Sequence, residues 1–316
     1  MEKIHPRALQ QAFDDGQNIT ALLKEQSACS INTQEIIETA YDLQSGSYVN
    51  ALQETGMLNH KSSYGQAIAQ EIRRLTNPTS IIEAGVGEGT TLSFVMKELN
   101  DNSIEAHGFD ISWSRIACCR DWIKSQWDGR CVLAVASLFH LPYADSCFDV
   151  VYTSHTIEPN GGNEESILRE LYRIASRFLI LLEPGYELAS TDAQLRMEKH
   201  GYCRKLVETA KLLGMKVQKH ELFEHCANPL NPTAITIIEK DANAAPCDPK
   251  FACPNFRDEL MDYGEAMYSP GSLRAYPKLM GIPCLRQEDA VIASAFERYA
   301  ELPVSETEPL VRIPVA

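Results

Sequence analysis

The sequence predicts an α/β protein with a doubly wound parallel sheet, and three observations support this class. Short apolar runs alternate with amphipathic segments from about residue 79 to residue 183, as expected for parallel strands joined by helical crossovers. A glycine-rich turn, AGVGEG at 84–89, follows the first of these runs. The last two apolar runs, 215–224 and 233–240, are separated by a proline-containing segment too short for a crossover helix, so they should form an antiparallel hairpin.

Composition and periodicity divide the chain into four parts. Residues before the first strand have helical spacing, and Ser63 with Gln66 forms a capping-box pattern that predicts a helix start. Beyond the hairpin, the composition shifts toward Ala, Pro, Cys and Asp. The predicted parts are an N-terminal helical cap (1–60), the doubly wound domain (61–240), a small α+β domain (241–300) and a mostly irregular tail (301–316).

The charge balance limits the classes of partner. Asp and Glu number 43 and Lys and Arg number 29, which gives a net charge of −14. Unassisted binding to a polyphosphate backbone is therefore disfavoured, so nucleic acid is not the expected partner. A small-molecule or protein substrate is the better starting expectation.

The cellular setting can be predicted from what the sequence lacks. The N-terminus shows no apolar core of signal-peptide length, and no uncharged apolar run reaches the roughly 18 residues of a membrane span. Ten cysteines are scattered without a compact spacing framework, which fits reduced thiols. We therefore expect a cytoplasmic protein without a membrane partner, and homo-oligomerisation is left open.

The glycine turn predicts a nucleoside cofactor, because such a turn brings backbone N–H groups close to a ligand. Two cofactor classes compete here: the dinucleotides and other adenosine-bearing cofactors. A dinucleotide fingerprint needs its third glycine three residues after the second, where this chain has Thr90; the third glycine comes one residue early, at Gly89. The predicted antiparallel last strand also argues against a nicotinamide-binding domain.

Three motifs occur in order: the acidic-x-Gly-x-Gly-x-Gly pattern of 83–89, GFDIS at 108–112, and LPYADSCFDVVYTS at 141–154. Over about residues 61–240 the chain thereby resembles the class I S-adenosylmethionine-dependent methyltransferases. The resemblance implies S-adenosyl-L-methionine as cofactor. It also implies a seven-stranded, Rossmann-like methyltransferase sheet whose last strand is antiparallel.

The resemblance also implies roles for single residues. Gly85, Gly87 and Gly89 would wrap the methionine and ribose part of the cofactor, and Glu83 would orient the turn and the methionine ammonium. Asp110 would accept hydrogen bonds from both ribose hydroxyls. The alternative role for Asp110 is a helix N-cap, with Ser112 as its competitor.

Adenine contacts and the cap complete the predicted cofactor site. Where the family often has an acidic residue that binds the adenine amino group, this chain has Ser137 followed by Leu138, so the Leu138 backbone and apolar stacking would serve instead. Tyr41 and Tyr64 in the N-terminal helices would close over the cofactor and offer an aromatic face to its sulfonium. Core packing is the alternative for both tyrosines.

Candidate residues for the chemistry follow the fourth and fifth strands, because ligands bind outside the carboxyl ends of parallel strands. His155 is the first choice for a general base, with a buried hydrogen-bonding role as the alternative. Glu158 and Glu183 would hold an amine or polar substrate; alternatively, Glu158 is a helix-start acid and Glu183 a loop anchor.

The segment 253–290 resembles the small zinc-ribbon-like activators of tRNA methyltransferases, chiefly through Tyr276-Pro277-x-x-x-Gly281-Ile282-Pro283. Where the zinc-bearing members have paired cysteines, this chain keeps Cys253 and has Phe256 in place of the second. Cys247, Cys253 and Cys284 are too few and too irregular for a closed four-ligand site, so no metal is predicted.

Three functions remain in consideration. The preferred one is methyl transfer to an oxygen or nitrogen atom of a small polar metabolite or glycan precursor. The second is an RNA-directed (tRNA) methyltransferase with a fused activator-like domain, against which the acidic balance argues. The third is a catalytically inactive, cofactor-binding regulatory scaffold.

Overall fold

In a computed structural model, residues 4–27, 31–241 and 247–300 are described. The N-terminal part is helical, as its periodicity predicts. Its helices are α1 (Pro6–Asp14), α2 (Ile19–Ser27), α3 (Gln34–Leu43), α4 (Ser47–Ala51) and α5 (Thr55–Leu75). Buried residues of the first three helices, Ala12, Ile19 and Ala40, form a separate small core, so this cap packs as a unit of its own.

A seven-stranded sheet forms the centre of the molecule. Its strands are β1 (Ser80–Ala84), β2 (Glu105–Asp110), β3 (Cys131–Val135), β4 (Phe148–Ser154), β5 (Ala175–Pro184), β6 (Lys216–Leu222) and β7 (Thr233–Glu239). They lie in the order β3-β2-β1-β4-β5-β7-β6, parallel except for β7, which is antiparallel to both β5 and β6. The prediction of a doubly wound sheet with an antiparallel last strand is confirmed.

Helices cover the two faces of this sheet. They are α6 (Thr90–Leu99), α7 (Trp113–Gln126), α8 (Glu164–Ile174), α9 (Thr191–His200) and α10 (Leu206–Leu212). Every residue of β1 is buried, as expected for a central parallel strand covered on both sides. One core cluster includes Ile68, Leu92 and Val150, and the other includes Ile82, Leu168 and Leu179.

The predicted helix start at Ser63 is wrong, because α5 already begins at Thr55. Tertiary packing overrides the local capping pattern. Buried Ile68 and Ile72 contribute to the core, and a Cβ atom on Gly65 would come within 2.5 Å of Phe94 Cβ. Gly65 thus allows α5 and α6 to approach closely, and the predicted boundary at residue 60 falls inside a continuous helix.

A second, five-stranded sheet follows at 261–292. It comprises β8 (Met261–Asp262), β9 (Ala266–Ser269), β10 (Arg274–Leu279), β11 (Ile282–Pro283) and β12 (Val291–Ile292), and α11 (Phe296–Ala300) comes after it. The segment continues the edge of the central sheet, since Leu285 N donates to Val135 O at 2.8 Å. The predicted tail (301–316) lies outside the described residues.

The described residues contain neither a metal-binding cluster nor a membrane-spanning helix. No cluster of three or more His, Cys, Asp or Glu side chains there has the arrangement of a metal site. Within the same residues, no helix combines the length and apolar character needed to cross a bilayer.

Candidate active site

The predicted glycine turn connects β1 to α6. Gly85, Gly87 and Gly89 have φ of +66°, +54° and +74°, in the left-handed region that favours glycine. A Cβ atom on Gly85 would come within 2.0 Å of Thr156 Cγ2, and one on Gly89 within 2.7 Å of Cys119 Sγ. Larger residues would therefore disrupt both the loop conformation and its packing.

Asp110 joins this loop to the neighbouring strand. Its Oδ2 accepts a hydrogen bond from Gly87 N, and its Oδ1 accepts one from Ser112 N, both at 3.0 Å. The N-cap of α7 is Ser112, whose hydroxyl accepts from Arg115 N at 3.1 Å. Asp110 is therefore not the helix cap, and its carboxylate is fixed at the end of β2 beside the glycines.

A cavity of about 330 Å³ opens over the loop, and we refer to it as the glycine-loop cavity. The predicted residues that line it are Glu83, Gly85, Gly87, Asp110, Ser137, Leu138, Tyr41, His155 and Glu158. Gly89, Tyr64 and Glu183 are not among its lining residues. Ser137 is also linked to the N-terminal cap, because its hydroxyl donates to Gln34 Oε1 at 2.6 Å.

Glu83 is a buried carboxyl group at the floor of this cavity. Its Oε2 accepts a hydrogen bond from Tyr152 Oη at 2.8 Å. Burial raises the pKa of Glu83 to about 8, against the lowering effects of the Tyr152 hydroxyl and the Lys61 ammonium. A cationic group of a ligand would favour the ionised form of this carboxyl.

Arg115 lies between the aromatic rings of the cap. Its Cζ is 5.1 Å from the Tyr41 ring centroid and 4.6 Å from that of Tyr48. Its Nε is buried without a hydrogen-bond partner among the described residues. An internal cation thus already lies over the Tyr41 ring, and the cation–π role of Tyr41 toward a sulfonium stays a prediction.

His155 and Glu158 form a hydrogen-bonded pair at the end of β4. His155 Nδ1 lies 2.5 Å from Glu158 Oε2, and His155 Nε2 lies 2.8 Å from Thr233 Oγ1. Glu158 Oε2 also accepts from Asn231 Nδ2 at 3.1 Å. The carboxylate favours the neutral tautomer with its proton on Nδ1, which leaves the Nε2 lone pair facing Thr233.

The backbone and the charge of His155 are both unusual. Its φ of +55° is a strained conformation for a non-glycine residue. Burial acts to lower its pKa, but the hydrogen bond and the charge of Glu158, with the charge of Glu183, outweigh burial and raise the pKa above its ordinary value. Burial acts to raise the pKa of Glu158, and the bonds from His155 and Asn231 lower it overall.

Glu183 occupies the position expected of a loop anchor. Its carboxylate oxygens accept hydrogen bonds from the backbone N–H groups of Thr156, Ile157 and Glu158, at 3.0, 3.1 and 3.0 Å. It is buried and holds the loop that carries Glu158. The role proposed for Glu183 is therefore positioning rather than contact with a substrate.

A second cavity, of about 350 Å³, adjoins the first and is called the second cavity below. Four residues line both: Tyr48, Lys61, His155 and Asn231. Tyr64 lies in the wall of the second cavity, where its Oη is 3.1 Å from Ser154 Oγ. Tyr64 thus borders the cavity next to the one in which the sequence placed it.

Residues 81–177 match the family model described as "Methyltransferase domain". The chain contains a methyltransferase domain. S-adenosyl-L-methionine is the cofactor of this domain, and the enzyme class is that of the S-adenosylmethionine-dependent methyltransferases.

Individual relatives are distant. Ajmaline N-methyltransferase of Rauvolfia serpentina is 25% identical over 133 residues, which span 41% of this chain and 44% of that protein. The structure of the cyclase SpnF has a TM-score of 0.52 at 14% identity and covers 67% of this chain and 98% of its own. Magnesium protoporphyrin IX methyltransferase of Synechocystis PCC 6803 has a TM-score of 0.49 at 13% identity, covering 66% and 99%. At these identities, the structural likeness shows a common fold alone.

The residues of the methyltransferase domain fit this cofactor. The Asp110 carboxylate accepts one hydrogen bond on each oxygen, from Gly87 N and from Ser112 N, and retains lone pairs for a sugar diol. Glu83 suits an ammonium group, since it is a buried carboxyl whose ionised form a neighbouring cation would stabilise. At Gly85 and Gly89, a Cβ atom would collide with Thr156 and Cys119, so glycine is required for the loop to pack against these two side chains.

Sequence reasoning missed three charged residues in the cavity wall, namely Lys61, Glu88 and Arg115. Glu88 accepts hydrogen bonds from Gly46 N and Val49 N at 3.0 and 2.7 Å, which ties the cap to the glycine loop. The sequence position of Arg115 could have predicted its place in the cavity wall. Arg115 lies in the first turn of the helix that follows Asp110, and that turn faces the carboxyl end of the sheet.

Proposed function

We propose that the whole chain is an S-adenosylmethionine-dependent methyltransferase that transfers a methyl group to an oxygen or nitrogen atom of a small metabolite. The observation that carries this proposal is the pair of adjoining cavities with His155 in their shared wall. The glycine-loop cavity would hold the cofactor, and the second cavity would hold the acceptor. When bound, the cofactor supplies a sulfonium-activated methyl group.

The residues of the chain would align and deprotonate the acceptor. Glu158 holds the imidazole of His155 in one orientation, and Glu183 fixes the backbone that carries Glu158. An acceptor hydroxyl that replaces Thr233 at His155 Nε2 would give its proton to that nitrogen. The apolar walls of the second cavity would exclude water, and alignment supplies most of the remaining rate enhancement.

The cavity favours a small metabolite over a glycan or RNA. A glycan needs many polar partners, whereas apolar atoms, including those of Ala51, Leu52 and Met57, make up most of the wall surface of the second cavity. Binding to a polyphosphate backbone calls for accessible positive charge. The basic side chains in the wall of the glycine-loop cavity point to another role, since Arg115 is buried and Lys61 half-buried.

The test uses methyl-labelled S-adenosylmethionine with purified chain and fractionated cell extract. We expect label in the small-molecule fraction with the wild type. At subsaturating cofactor, the Asp110→Asn variant should transfer at least ten-fold less label, because loss of the charged hydrogen-bond acceptor weakens cofactor binding by about 1.5–3 kcal/mol. Asp121→Asn, at a largely exposed side chain, is the matched control. Label found in RNA or protein alone would overturn the proposal.

A further inference from the structure

Apolar atoms make up most of the wall surface of the second cavity, and most of the residues that line it also carry a polar group. Leu52 and Met57 come from the N-terminal cap region, and Tyr64 is fixed by an edge contact with Phe223, whose ring centroid is 5.4 Å away. Three imidazoles, of His60, His155 and His225, also line it. This mixture suits a ring-containing molecule with a single polar end.

The charges in these walls are of one sign. Among the described residues that line the second cavity there is no Asp or Glu, whereas Lys61 and the three histidines can each carry a positive charge. Glu158, just outside, is engaged by His155 and Asn231. A cationic amine would therefore be repelled, while an oxygen that gains negative charge would be stabilised.

Lys61 stands where the two cavities meet. Its Nζ has one long hydrogen bond, 3.4 Å to Thr91 Oγ1, and lies 5.4 Å from the Tyr64 ring centroid. Burial lowers the pKa of this ammonium, against the charge of Glu83. Asn231 Oδ1, also in the shared wall, is buried without a hydrogen-bond partner among the described residues. Both groups have unused hydrogen-bonding capacity at this junction.

We propose that the acceptor is a weakly acidic hydroxyl of phenol type on a small, mostly apolar molecule in the second cavity, with Lys61 beside the acceptor oxygen. This inference rests on the proposed function and makes the reaction an O-methylation. The acceptor hydroxyl gives its proton to His155 Nε2, and its oxygen forms the new C–O bond with the methyl carbon. The C–S bond breaks, and its electron pair stays on sulfur.

The probe for this site is 4-nitrophenol, whose phenolate is coloured. It is titrated with pH in the presence of saturating S-adenosylhomocysteine and excess wild-type protein. We expect the pKa of the bound phenol to fall by about one pH unit relative to the free phenol, because an ammonium within a few ångströms favours the phenolate. The Lys61→Met variant should lose this shift and Lys61→Arg should keep it.

The controls separate charge from fold. Lys97→Met removes a lysine from an exposed position and should keep the shift. Melting temperatures verify that each variant is folded, and Lys61→Gln replaces Lys61→Met should the latter not fold. The cationic analogue 4-nitrobenzylamine should bind at least ten-fold more weakly than 4-nitrophenol, which corresponds to 1.4 kcal/mol.

The outcomes are distinguishable. Absent binding of 4-nitrophenol, an unchanged shift in Lys61→Met, or tighter binding of 4-nitrobenzylamine would each overturn the inference. A Lys61→Met variant that loses S-adenosylhomocysteine affinity but keeps the phenol shift assigns Lys61 to the cofactor and also overturns it. In all these cases, the proposed function still holds if the wild type binds S-adenosylhomocysteine. If the wild type does not bind S-adenosylhomocysteine, the proposed function itself is wrong.

Discussion

Glu158 Oε2 lies 2.5 Å from Nδ1 of His155, and this contact sets both the orientation and the charge of the imidazole. Burial alone would lower the pKa of His155, and the carboxylate reverses that effect. Below the raised pKa the imidazole is protonated and cannot accept a proton. Methyl transfer to a hydroxyl should therefore accelerate as the pH rises through this pKa.

The first prediction is that Glu158→Gln lowers the pKa of His155 by one pH unit or more. The substitution removes the charge and leaves burial in control. NMR titration of the His155 ring in ¹³C-histidine-labelled protein measures this without an acceptor. Glu165→Gln, at an exposed pair with Arg169, is the control and should leave the titration unchanged. Equal His155 titrations in wild type and Glu158→Gln would contradict the assigned cause.

A second prediction concerns cofactor affinity and Glu83. Because the ionised carboxyl is the form that binds an ammonium and its pKa is raised to about 8, affinity for S-adenosylhomocysteine should rise roughly ten-fold from pH 6 to 7, rise further to pH 8 and level off above it. Calorimetry across this range measures it. Tyr152→Phe removes a bond that lowers the Glu83 pKa, so it should move the profile to higher pH.

The matched control for this titration is Glu98→Gln, at a partly exposed side chain, which should reproduce the wild-type profile. Glu83→Gln should bind weakly and without pH dependence over the same range. An affinity that stays constant from pH 6 to 8 in the wild type would show that Glu83 does not receive the ammonium.

The third prediction separates backbone strain from steric collision in the glycine loop. Gly85 and Gly201 have similar φ, +66° and +70°, but only at Gly85 would a Cβ atom meet another group, Thr156 Cγ2 at 2.0 Å. Gly201→Ala should cost about 1 kcal/mol of unfolding free energy. Gly85→Ala should cost a further 1–3 kcal/mol or so and abolish cofactor binding. Urea unfolding measures both, and equal costs would refute the collision.

Some features could be predicted from sequence because they depend on local pattern. The glycine spacing at 85–89 requires positive φ, and the short linker at 225–232 excludes a crossover helix, so the loop and the antiparallel β7 were both predicted correctly. Strand order then brings Asp110 beside Gly87, while its contact with the ribose hydroxyls stays a prediction.

Other features depend on contacts between distant segments. Ser63 has the local pattern of a cap, but packing of α5 on α6 carries the helix through it. The position of Arg115 between two tyrosines depends on how the cap docks on α7. Lys61 has no sequence signal of its own, because its role follows from lying where two cavities meet.

The last prediction concerns the link between the cap and the glycine loop. Glu88, in the loop, is buried and accepts hydrogen bonds from Gly46 N, Tyr48 N and Val49 N at the start of α4. Glu88→Gln replaces one accepting oxygen with an amide donor that faces these N–H groups. Hydrogen exchange at 46–52 should accelerate about ten- to a hundred-fold, as expected when a hydrogen bond to a charged group worth about 1.5–3 kcal/mol is lost.

The effect should stay local and reach the cofactor through Tyr48, which lines both cavities. Hydrogen exchange in β4 and β5 should remain at the wild-type rate. Glu54→Gln, at an exposed residue of the N-terminal cap, should leave exchange unchanged both at 46–52 and in these strands. Affinity for S-adenosylhomocysteine should fall with the loss of protection at 46–52. Faster exchange there with unchanged affinity would mean that the cap closes the cavities without contributing to cofactor binding.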